Sequence, residues 1–295
     1  MSFSGQRYEI AAGDYRAVLA EVGAGLAGLW LAGVPVTVEA APDALPAKST
    51  GAVLAPWPNR IRDGRYTFEG TEQQLALTEP ATSNASHGLV KWARWHCLDQ
   101  QPDSVTLGHD LVPQPGYPFE LRLALRYFLD PLAGLTAELQ ATNTGAGPLP
   151  FGAGFHPYLD LAEHELDTAE LLIPAGTVLL TDDRQIPIER RSVAGTSFDF
   201  RQQRQIGSDR LDHGFADLTG SAARLRTERR TVEVHWDGAF SHLQVYTPPH
   251  ITPGRNAVAI EPMSCPANAF NSGQALSVLA PGQSWTGSWG IAVTG

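Results

Sequence analysis

The chain has 295 residues and a formal net charge of −10, because 31 Asp and Glu side chains outnumber 21 Lys and Arg side chains. This acidic balance argues against nucleic-acid binding and against adsorption to anionic membranes, both of which need a basic surface. Apolar residues make up 43% of the chain, enough for a large core, and the 29 glycines and 22 prolines favour short strands and turns over long helices.

Strict alternation of apolar and polar residues predicts strands along most of the chain. In chain order the predicted strands are residues 15–22, 66–68, 73–77, 105–107, 119–129, 135–142, 169–173, 231–236, 243–247 and 285–293. The turn sequence Asp-Pro-Leu-Ala-Gly at residues 130–134 joins two of them into a long antiparallel hairpin. Helical periodicity is weak, and its best candidate is a short segment around residues 200–206.

Many short strands separated by turns, with few and short helices, predict an all-β fold. No linker, charge block or fixed-period repeat divides the chain. We therefore expect residues 1–295 to form a single domain, a large antiparallel β-sandwich.

A glycine-rich run at residues 23–28, Gly-Ala-Gly-Leu-Ala-Gly, matches the G-x-G-x-x-G pattern of dinucleotide sites. Such a site needs a helix that opens at the last glycine, but Gly33 and Pro35 leave no room for one. The run is therefore predicted to be a hairpin between two strands. With no other cofactor motif and no metal-binding spacing in the chain, we expect neither a cofactor nor a metal.

Cys97 and Cys265 are the only cysteines, too few for a disulfide framework or a cysteine zinc site. The first ten residues lack the basic and apolar regions of a signal peptide, and no apolar run approaches the roughly 18 residues of a membrane span. These features predict a cytoplasmic protein without membrane contact. They do not distinguish a monomer from a homodimer.

Three polar segments lie in loops that could face a cleft. Asn59 and Arg60 follow two prolines that stiffen the chain, His87 precedes a glycine, and Asp212 lies in a turn. A rigidly held Arg can bind hydroxyl groups or anions, although each of these residues is equally compatible with an ordinary structural role in a loop.

Two further segments place an ionisable group in apolar surroundings. His156 follows an apolar glycine-rich run and precedes a proline, and Glu261 ends the apolar run Ala-Val-Ala-Ile. Burial of a carboxyl group raises its pKa toward working pH, which suits a general base, and a buried histidine can serve as a general acid. A core histidine and a Glu paired with an Arg remain open as structural explanations.

Taken in order, these segments resemble the aldose 1-epimerases, the galactose mutarotase family. The resemblance rests on Asn59-Arg60-Ile with its following hairpin, His87-Gly, Gly-Phe-His156-Pro-Tyr, Asp212-His-Gly-Phe and Glu261-Pro with a nearby Asn-Ala-Phe-Asn. It covers the chain from about residue 15 to the C-terminus and implies a large β-sandwich, galactose mutarotase-like, with a sugar cleft on its concave sheet.

The resemblance also implies roles for individual residues. Glu261 would be the base that removes the proton from the anomeric hydroxyl O1, and His156 the acid that protonates the ring oxygen O5. Arg60, His87 and Asp212 would hold sugar hydroxyls, with Asn59 beside them. The partner would be a small-molecule sugar, whose identity the sequence does not specify.

Two alternatives remain open. A hexose-6-phosphate 1-epimerase of the same superfamily would need additional cations near the site, and Arg62, Arg65, Lys91 and Arg94 are the candidates. A carbohydrate-binding or regulatory protein could retain the fold without catalysis. The aromatic side chain that packs on the sugar is also unassigned, because Trp57, Trp92, Trp236 and Phe240 are each as readily core or rim residues.

Overall fold

A computed structural model describes residues 3–161, 164–249 and 256–294 of the chain. One short helix, α1, and two 3₁₀ turns, Ala47–Ser49 and Pro80–Thr82, accompany the strands of these residues. The strands and the helix are β1 (Arg7–Ala12), β2 (Tyr15–Ala20), β3 (Leu26–Leu31), β4 (Val34–Pro35), β5 (Val53–Leu54), β6 (Arg60–Arg62), β7 (Arg65–Phe68), β8 (Thr71–Gln74), β9 (Asn84–Ser86), β10 (His96–Gln100), β11 (Ser104–Leu111), β12 (Leu121–Asp130), β13 (Gly134–Asn143), β14 (Leu149–Phe151), β15 (Gly154–Phe155), β16 (Tyr158–Asp160), β17 (Glu170–Leu172), β18 (Ala175–Thr181), β19 (Pro187–Ser192), β20 (Arg204–Gln205), β21 (Asp212–Leu218), β22 (Ala222–Arg226), β23 (Thr231–Trp236), β24 (His242–Tyr246), β25 (Ala257–Met263), α1 (Ala269–Ser272), β26 (Ser277–Leu279) and β27 (Ser284–Thr294).

Three antiparallel sheets contain most of these strands. The largest has nine strands in the order β10-β11-β12-β13-β27-β23-β22-β17-β20, and the next has the order β19-β18-β21-β24-β25-β15-β5, with β16 also paired to β25. A smaller sheet consists of β1 to β4. The prediction of an all-β antiparallel sandwich with few short helices is confirmed.

The predicted long hairpin is present as β12 and β13. They pair from Leu121 opposite Asn143 to Asp130 opposite Gly134, and every second residue of β12 is buried. The glycine-rich run at residues 23–28 connects β2 to β3, which pair antiparallel, so the hairpin interpretation of that run is also confirmed.

The main core lies between the nine-stranded and eight-stranded sheets. Phe155 of β15 contacts Trp289 of β27 across it, with ring centroids 5.0 Å apart. On β25, Val258 and Ile260 belong to this core. Because side chains alternate along a strand, Glu261, which follows Ile260, points to the opposite face of the sheet, although it too is buried.

The predicted helix around residues 200–206 is wrong. Phe200 and Ile206 are both buried, but their backbone groups bond to Ile173 and Ala169 of the neighbouring sheet region rather than along a helix. Arg204 and Gln205 form β20, which pairs with β17. Phe200 and Ile206 are buried as part of a sheet edge. The free energy gained by that burial outweighs the weak helical preference of the local sequence.

Helices within the described ranges are short, and none has the length and apolar character required to cross a membrane.

A buried histidine on β24 links the stability of the fold to pH. His242 is 5% exposed, and its Nδ1 lies 2.8 Å from Ser241 Oγ. Burial, reinforced by the charge of Arg190 and opposed by that of Asp217, lowers the pKa of His242 to about 4. The folded protein therefore keeps this imidazole neutral at pH values at which an unfolded histidine is already protonated.

We predict that His242 makes the wild-type protein lose stability as pH falls from 7 to 5. Since its pKa is depressed on folding, its contribution is present above pH 6.5 and is lost as pH falls toward 4, by about 2 kcal/mol at pH 5. Urea unfolding of wild type and His242→Gln at pH 7 and pH 5 measures the contribution of His242 to the free energy of unfolding. Equal losses of unfolding free energy in the two proteins would contradict it.

A second prediction concerns Gly88, which follows His87 in a left-handed conformation with φ of +68°. A Cβ atom there would lie 2.0 Å from the carbonyl oxygen of Ala55. Gly88→Ala should therefore cost several kcal/mol of stability, because a clash with backbone adds to the strain of positive φ. Gly33→Ala is the matched control, with φ of +79° but no atom within 4 Å. Equal loss of unfolding free energy in both variants would show that the clash is unimportant.

Candidate active site

A polar cavity of about 300 Å³ opens on the outer face of the eight-stranded sheet. Its lining includes all six residues singled out in the sequence: Asn59, Arg60, His87, His156, Asp212 and Glu261. They come from positions up to 202 residues apart in the chain. The fold therefore brings together segments that no sequence spacing connects.

The floor of the cavity is formed by one face of three adjacent strands. Glu261 on β25 is paired with Gln244 on β24, and Tyr246 on β24 is paired with Asp212 on β21. Gln244 Nε2 donates a hydrogen bond to Asp212 Oδ1 over 2.7 Å. Because alternate side chains share a face, this register alone places Asp212, Gln244, Tyr246 and Glu261 side by side.

One wall is formed by the short ladder between β6 and β9. Arg60 is paired with Ser86, and the backbone N–H of His87 donates to the carbonyl oxygen of Asn59 over 2.7 Å. Asn59 and His87 both have positive φ, +55° and +62°. These left-handed conformations turn the chain sharply at the same end of the ladder, where β6 begins and β9 ends, which sets the two residues beside Arg60 in the cavity.

His156 lies between β15 and β16 and is tied to the sheet edge at both backbone groups. Its N–H donates to the Ala52 carbonyl over 3.0 Å, and its carbonyl accepts from the Gly51 N–H over 2.9 Å. The ring of Tyr158 stacks on the imidazole with centroids 4.9 Å apart. Backbone and ring contacts together fix the direction of the His156 side chain.

The central contact of the cavity joins His156 Nε2 and Glu261 Oε1, which lie 3.4 Å apart. Both side chains are almost fully buried, at 6% and 2% exposed. Burial, together with the charge of Asp212, raises the pKa of Glu261 well above its usual range, although Arg60 opposes this. Burial and then the charges of Lys91 and Arg60 lower the pKa of His156 to about 3. In the unliganded cavity the proton therefore resides on the carboxyl group.

His87 adds a second buried imidazole, with its ring centroid 5.5 Å from that of His156. Burial, the neighbouring His156 and the charges of Lys91 and Arg60 all lower the pKa of His87. His87 Nδ1, His156 Nδ1 and Glu261 Oε2 have no hydrogen-bond partner among the described residues. Buried polar atoms of this kind are rare in native proteins outside functional sites.

Arg60 is held by a carboxylate that the sequence did not single out. Its Nε donates to Glu79 Oε2 over 2.6 Å and its Nη2 to Glu79 Oε1 over 2.9 Å, while Nη1 donates to Asn59 Oδ1 over 3.1 Å. Despite burial, the bonds and charge of Glu79 raise the pKa of Arg60. Arg60 is thus a fixed cation in the cavity wall.

The aromatic side chains that line the cavity are Tyr158 and Tyr246. The other candidates lie elsewhere: Trp57, Trp236 and Phe240 are core residues, and Trp92, 49% exposed, is not part of the cavity lining. Gln244 and Tyr246 could have been found in the sequence, because they alternate with Leu243 and Val245 in a predicted strand. No pattern of residues around Glu79 in the sequence marks it as part of the site.

This arrangement suits the exchange of protons with a polyhydroxylated molecule. An acid and a base lie in direct contact, and an Arg, a second His, an Asp and two amides supply donors and acceptors around them. Within residues 3–161, 164–249 and 256–294, no group of three or more His, Cys, Asp or Glu side chains is placed to hold a metal ion.

Comparison with known proteins agrees with the sequence resemblance. The family model of the aldose 1-epimerases matches residues 6–291. The chain is 36% identical over 286 residues to the uncharacterized protein YihR of Escherichia coli (strain K12), covering 96% of this chain and 92% of that protein. It is 31% identical over 217 residues to the galactose mutarotase of Bos taurus, covering 67% and 59%.

Solved structures share the fold over its full length. A GalM/aldose epimerase homologue from C. elegans has a TM-score of 0.88 at 21% identity, covering 100% of this chain and 99% of that one. The galactose 1-epimerase from Lactobacillus acidophilus has a TM-score of 0.83 at 22% identity, covering 98% and 95%. The architecture is therefore galactose mutarotase-like. Since the family model matches nearly the whole sequence, the chain belongs to the aldose 1-epimerase family.

Proposed function

We propose that this protein interconverts the α and β anomers of a free aldose by acid–base opening and closing of the sugar ring. The observation that supports this most directly is the buried contact between Glu261 and His156, 3.4 Å apart in a polar cavity. A member of the aldose 1-epimerase family that keeps an acid–base pair in a cavity large enough for a small ligand is suited to this reaction.

Ring opening moves one proton off O1 and one onto O5. The Glu261 carboxylate accepts the O1 proton while His156 donates a proton to O5, so the C1–O5 bond breaks and C1–O1 becomes a carbonyl. Rotation about C1–C2 presents the other carbonyl face, and attack by the O5 hydroxyl closes the ring. Protons then return to O1 and to His156, which restores both side chains. The step balances without any redox change or co-reactant.

The pair must hold a single transferable proton for this cycle. In the empty cavity that proton resides on Glu261, because burial disfavours both charges. A bound sugar donates its O1 hydroxyl to the carboxyl group and favours the carboxylate, so the proton passes to His156 across the 3.4 Å contact. The two protonation states differ only in the position of that proton.

The remaining polar groups would hold the sugar in register with this pair. Arg60 and Asn59 offer N–H donors, the neutral His87 offers a donor and an acceptor, and Asp212 accepts from hydroxyls. Tyr246, partly exposed beside Asp212, provides an apolar ring for the C–H face of the sugar. The partner proposed here is therefore a neutral monosaccharide.

We predict that Glu261→Gln abolishes turnover but retains sugar binding. Glutamine has the shape of the protonated carboxyl group that the buried site already favours, so folding is preserved while the base is lost. Polarimetry or NMR of freshly dissolved α-glucose and α-galactose at low temperature should show a rate loss of about 10²–10⁴-fold. Saturation-transfer NMR measures binding in parallel, and Glu233→Gln, at a half-buried position of β23 outside the cavity lining, is the control.

A near-normal rate in Glu261→Gln would rule out this residue as the base. His156→Asn should lose activity on a similar scale, and an unchanged rate there would move the acid to His87, the neighbouring imidazole. Sugar binding without acceleration of any aldose by the wild type would support a non-catalytic carbohydrate-binding protein instead.

One observation supports the second candidate function, a hexose-6-phosphate 1-epimerase. Lys91 lines the cavity, and its ammonium group contacts Ser49 Oγ at 3.5 Å and lies 5.8 Å from the centroid of the Trp92 ring. The three other cations considered from the sequence lie outside the cavity lining and have partners of their own: Arg62 with Asp182, Arg65 with Gln74 and Arg94 with Glu21. Besides Arg60, an anionic substrate would therefore rely on Lys91 and Lys48, the two lysines of the cavity lining.

If the substrate carries a phosphate, Lys91→Met should lower the ratio of kcat/KM for glucose 6-phosphate to that for glucose at least tenfold, because the phosphate loses a charge-assisted bond. The ratio is the relevant quantity, since the Lys91 charge also acts on His156 whichever sugar is bound. Mutarotation rates of glucose and glucose 6-phosphate, measured with wild type and variant, give this ratio. An unchanged ratio would leave the free aldose as the substrate class.

A further inference from the structure

We propose that Glu79 is a positioning residue of this site, which aims the Arg60 guanidinium at the substrate and balances its charge so that Glu261 keeps its proton until a sugar binds. This inference rests on the proposed function, in which Arg60 donates hydrogen bonds to the bound sugar. Glu79 itself acts through Arg60 and not on the reacting atoms.

The contact between the two residues is a two-point fork. Nε and Nη2 of Arg60 donate to the two carboxylate oxygens of Glu79 over 2.6 and 2.9 Å. A planar guanidinium bound at two points by a planar carboxylate cannot rotate about its own axis. The Arg60 side chain is 13% exposed and that of Glu79 30% exposed, so little water competes for these bonds.

The fork leaves a defined set of donors for a ligand. Of the five N–H groups of a guanidinium, the carboxylate of Glu79 takes two and Asn59 Oδ1 takes one on Nη1. One N–H on each Nη atom has no protein acceptor among the described residues. Both belong to the Nη atoms of a side chain that lines the cavity.

Glu79 is itself held in place by hydrogen bonds to residues other than Arg60. Its Oε2 also accepts from Thr82 Oγ1 over 2.7 Å, and Asn84 Nδ2 donates to that same hydroxyl over 3.0 Å. The backbone of Glu79 is bridged to that of Asn84, which is completely buried. Hydrogen bonds that connect Glu79 through Thr82 to the buried Asn84 thus help to set the orientation of Arg60.

The charge of Glu79 has a separate effect. The positive charge of Arg60 lowers the pKa of Glu261, His156 and His87. Burial would raise the pKa of Glu79, but the bonds and charge of Arg60 outweigh it, so Glu79 is an anion at neutral pH. Loss of the Glu79 charge would leave Arg60 unbalanced and would stabilise the carboxylate form of Glu261.

The ionisable groups around Glu261 come from every element packed against it. They are Lys48, Arg60 of β6, His87 after β9, Lys91, His156 after β15, Tyr158 of β16, Asp212 of β21 and Tyr246 of β24. The charge of Glu79 acts on two of these groups, Arg60 and Lys91, and Arg60 is the one that Glu79 contacts.

The test compares Glu79→Gln with wild type over a range of pH. We expect kcat/KM for the accepted aldose to fall about 10- to 100-fold, since an Arg held at one point no longer aligns the sugar. We also expect the alkaline limb of the pH–rate profile to move to lower pH by about one unit, because the unbalanced Arg60 favours the Glu261 carboxylate and the pair then loses its single proton at lower pH.

Glu79→Asp separates the two effects. It keeps the charge but shortens the side chain, so the alkaline limb should remain at the wild-type pH while kcat/KM stays reduced. The control is Glu189→Gln, which removes a carboxylate from a similar two-point contact with Arg191 on the exposed strand β19. That variant should leave both quantities unchanged.

A reduced rate with an unmoved alkaline limb in Glu79→Gln would overturn the charge-balancing role, and an unchanged rate would overturn the positioning role. NMR titration of ¹³C-labelled Glu side chains in the unliganded proteins gives the Glu261 pKa without any turnover. A lower Glu261 pKa in Glu79→Gln would support the charge-balancing role even if the wild type proved inactive on every aldose, whereas an equal pKa would refute it.

Discussion

The contact between Glu261 and His156 depends on burying a carboxyl group in the middle of a β-sheet. Glu261 lies on a strand whose other face packs into the main core, and its own face is covered by the walls of the cavity. A carboxylate in such a place is costly unless it is protonated or paired. The site meets this cost by keeping Glu261 and His156 together, with one proton between two groups that both avoid charge.

The rest of the site follows from that constraint. On the proposed function, a cation close enough to bind a sugar hydroxyl is also close enough to favour the carboxylate form of Glu261 before the sugar binds. Arg60 is present in the cavity wall, and the two-point bond to Glu79 both fixes its plane and offsets its charge. The same low dielectric that strengthens each contact in the cavity makes an unbalanced charge there more disruptive.

Two kinds of backbone geometry place these groups. The register of β21, β24 and β25 sets Asp212, Gln244 and Glu261 on one face of the sheet, because residues that alternate along paired strands share a face. The walls instead depend on irregular segments, in which Asn59 and His87 adopt left-handed conformations. Regular sheet supplies a rigid floor, and tight turns aim the groups that meet the ligand above it.

The sequence by itself determined the sheet architecture, since period-two alternation and frequent turn residues predict strands whatever their partners are. It also marked Glu261 and His156, because an ionisable residue in an apolar run stands out locally. Tertiary structure alone decided that residues 200–206 join a sheet edge, that Tyr246 rather than a tryptophan faces the cavity, and that Glu79 holds Arg60. These outcomes depend on contacts between distant segments, and no local pattern records them, because burial and pairing energies are set only when the sheets come together.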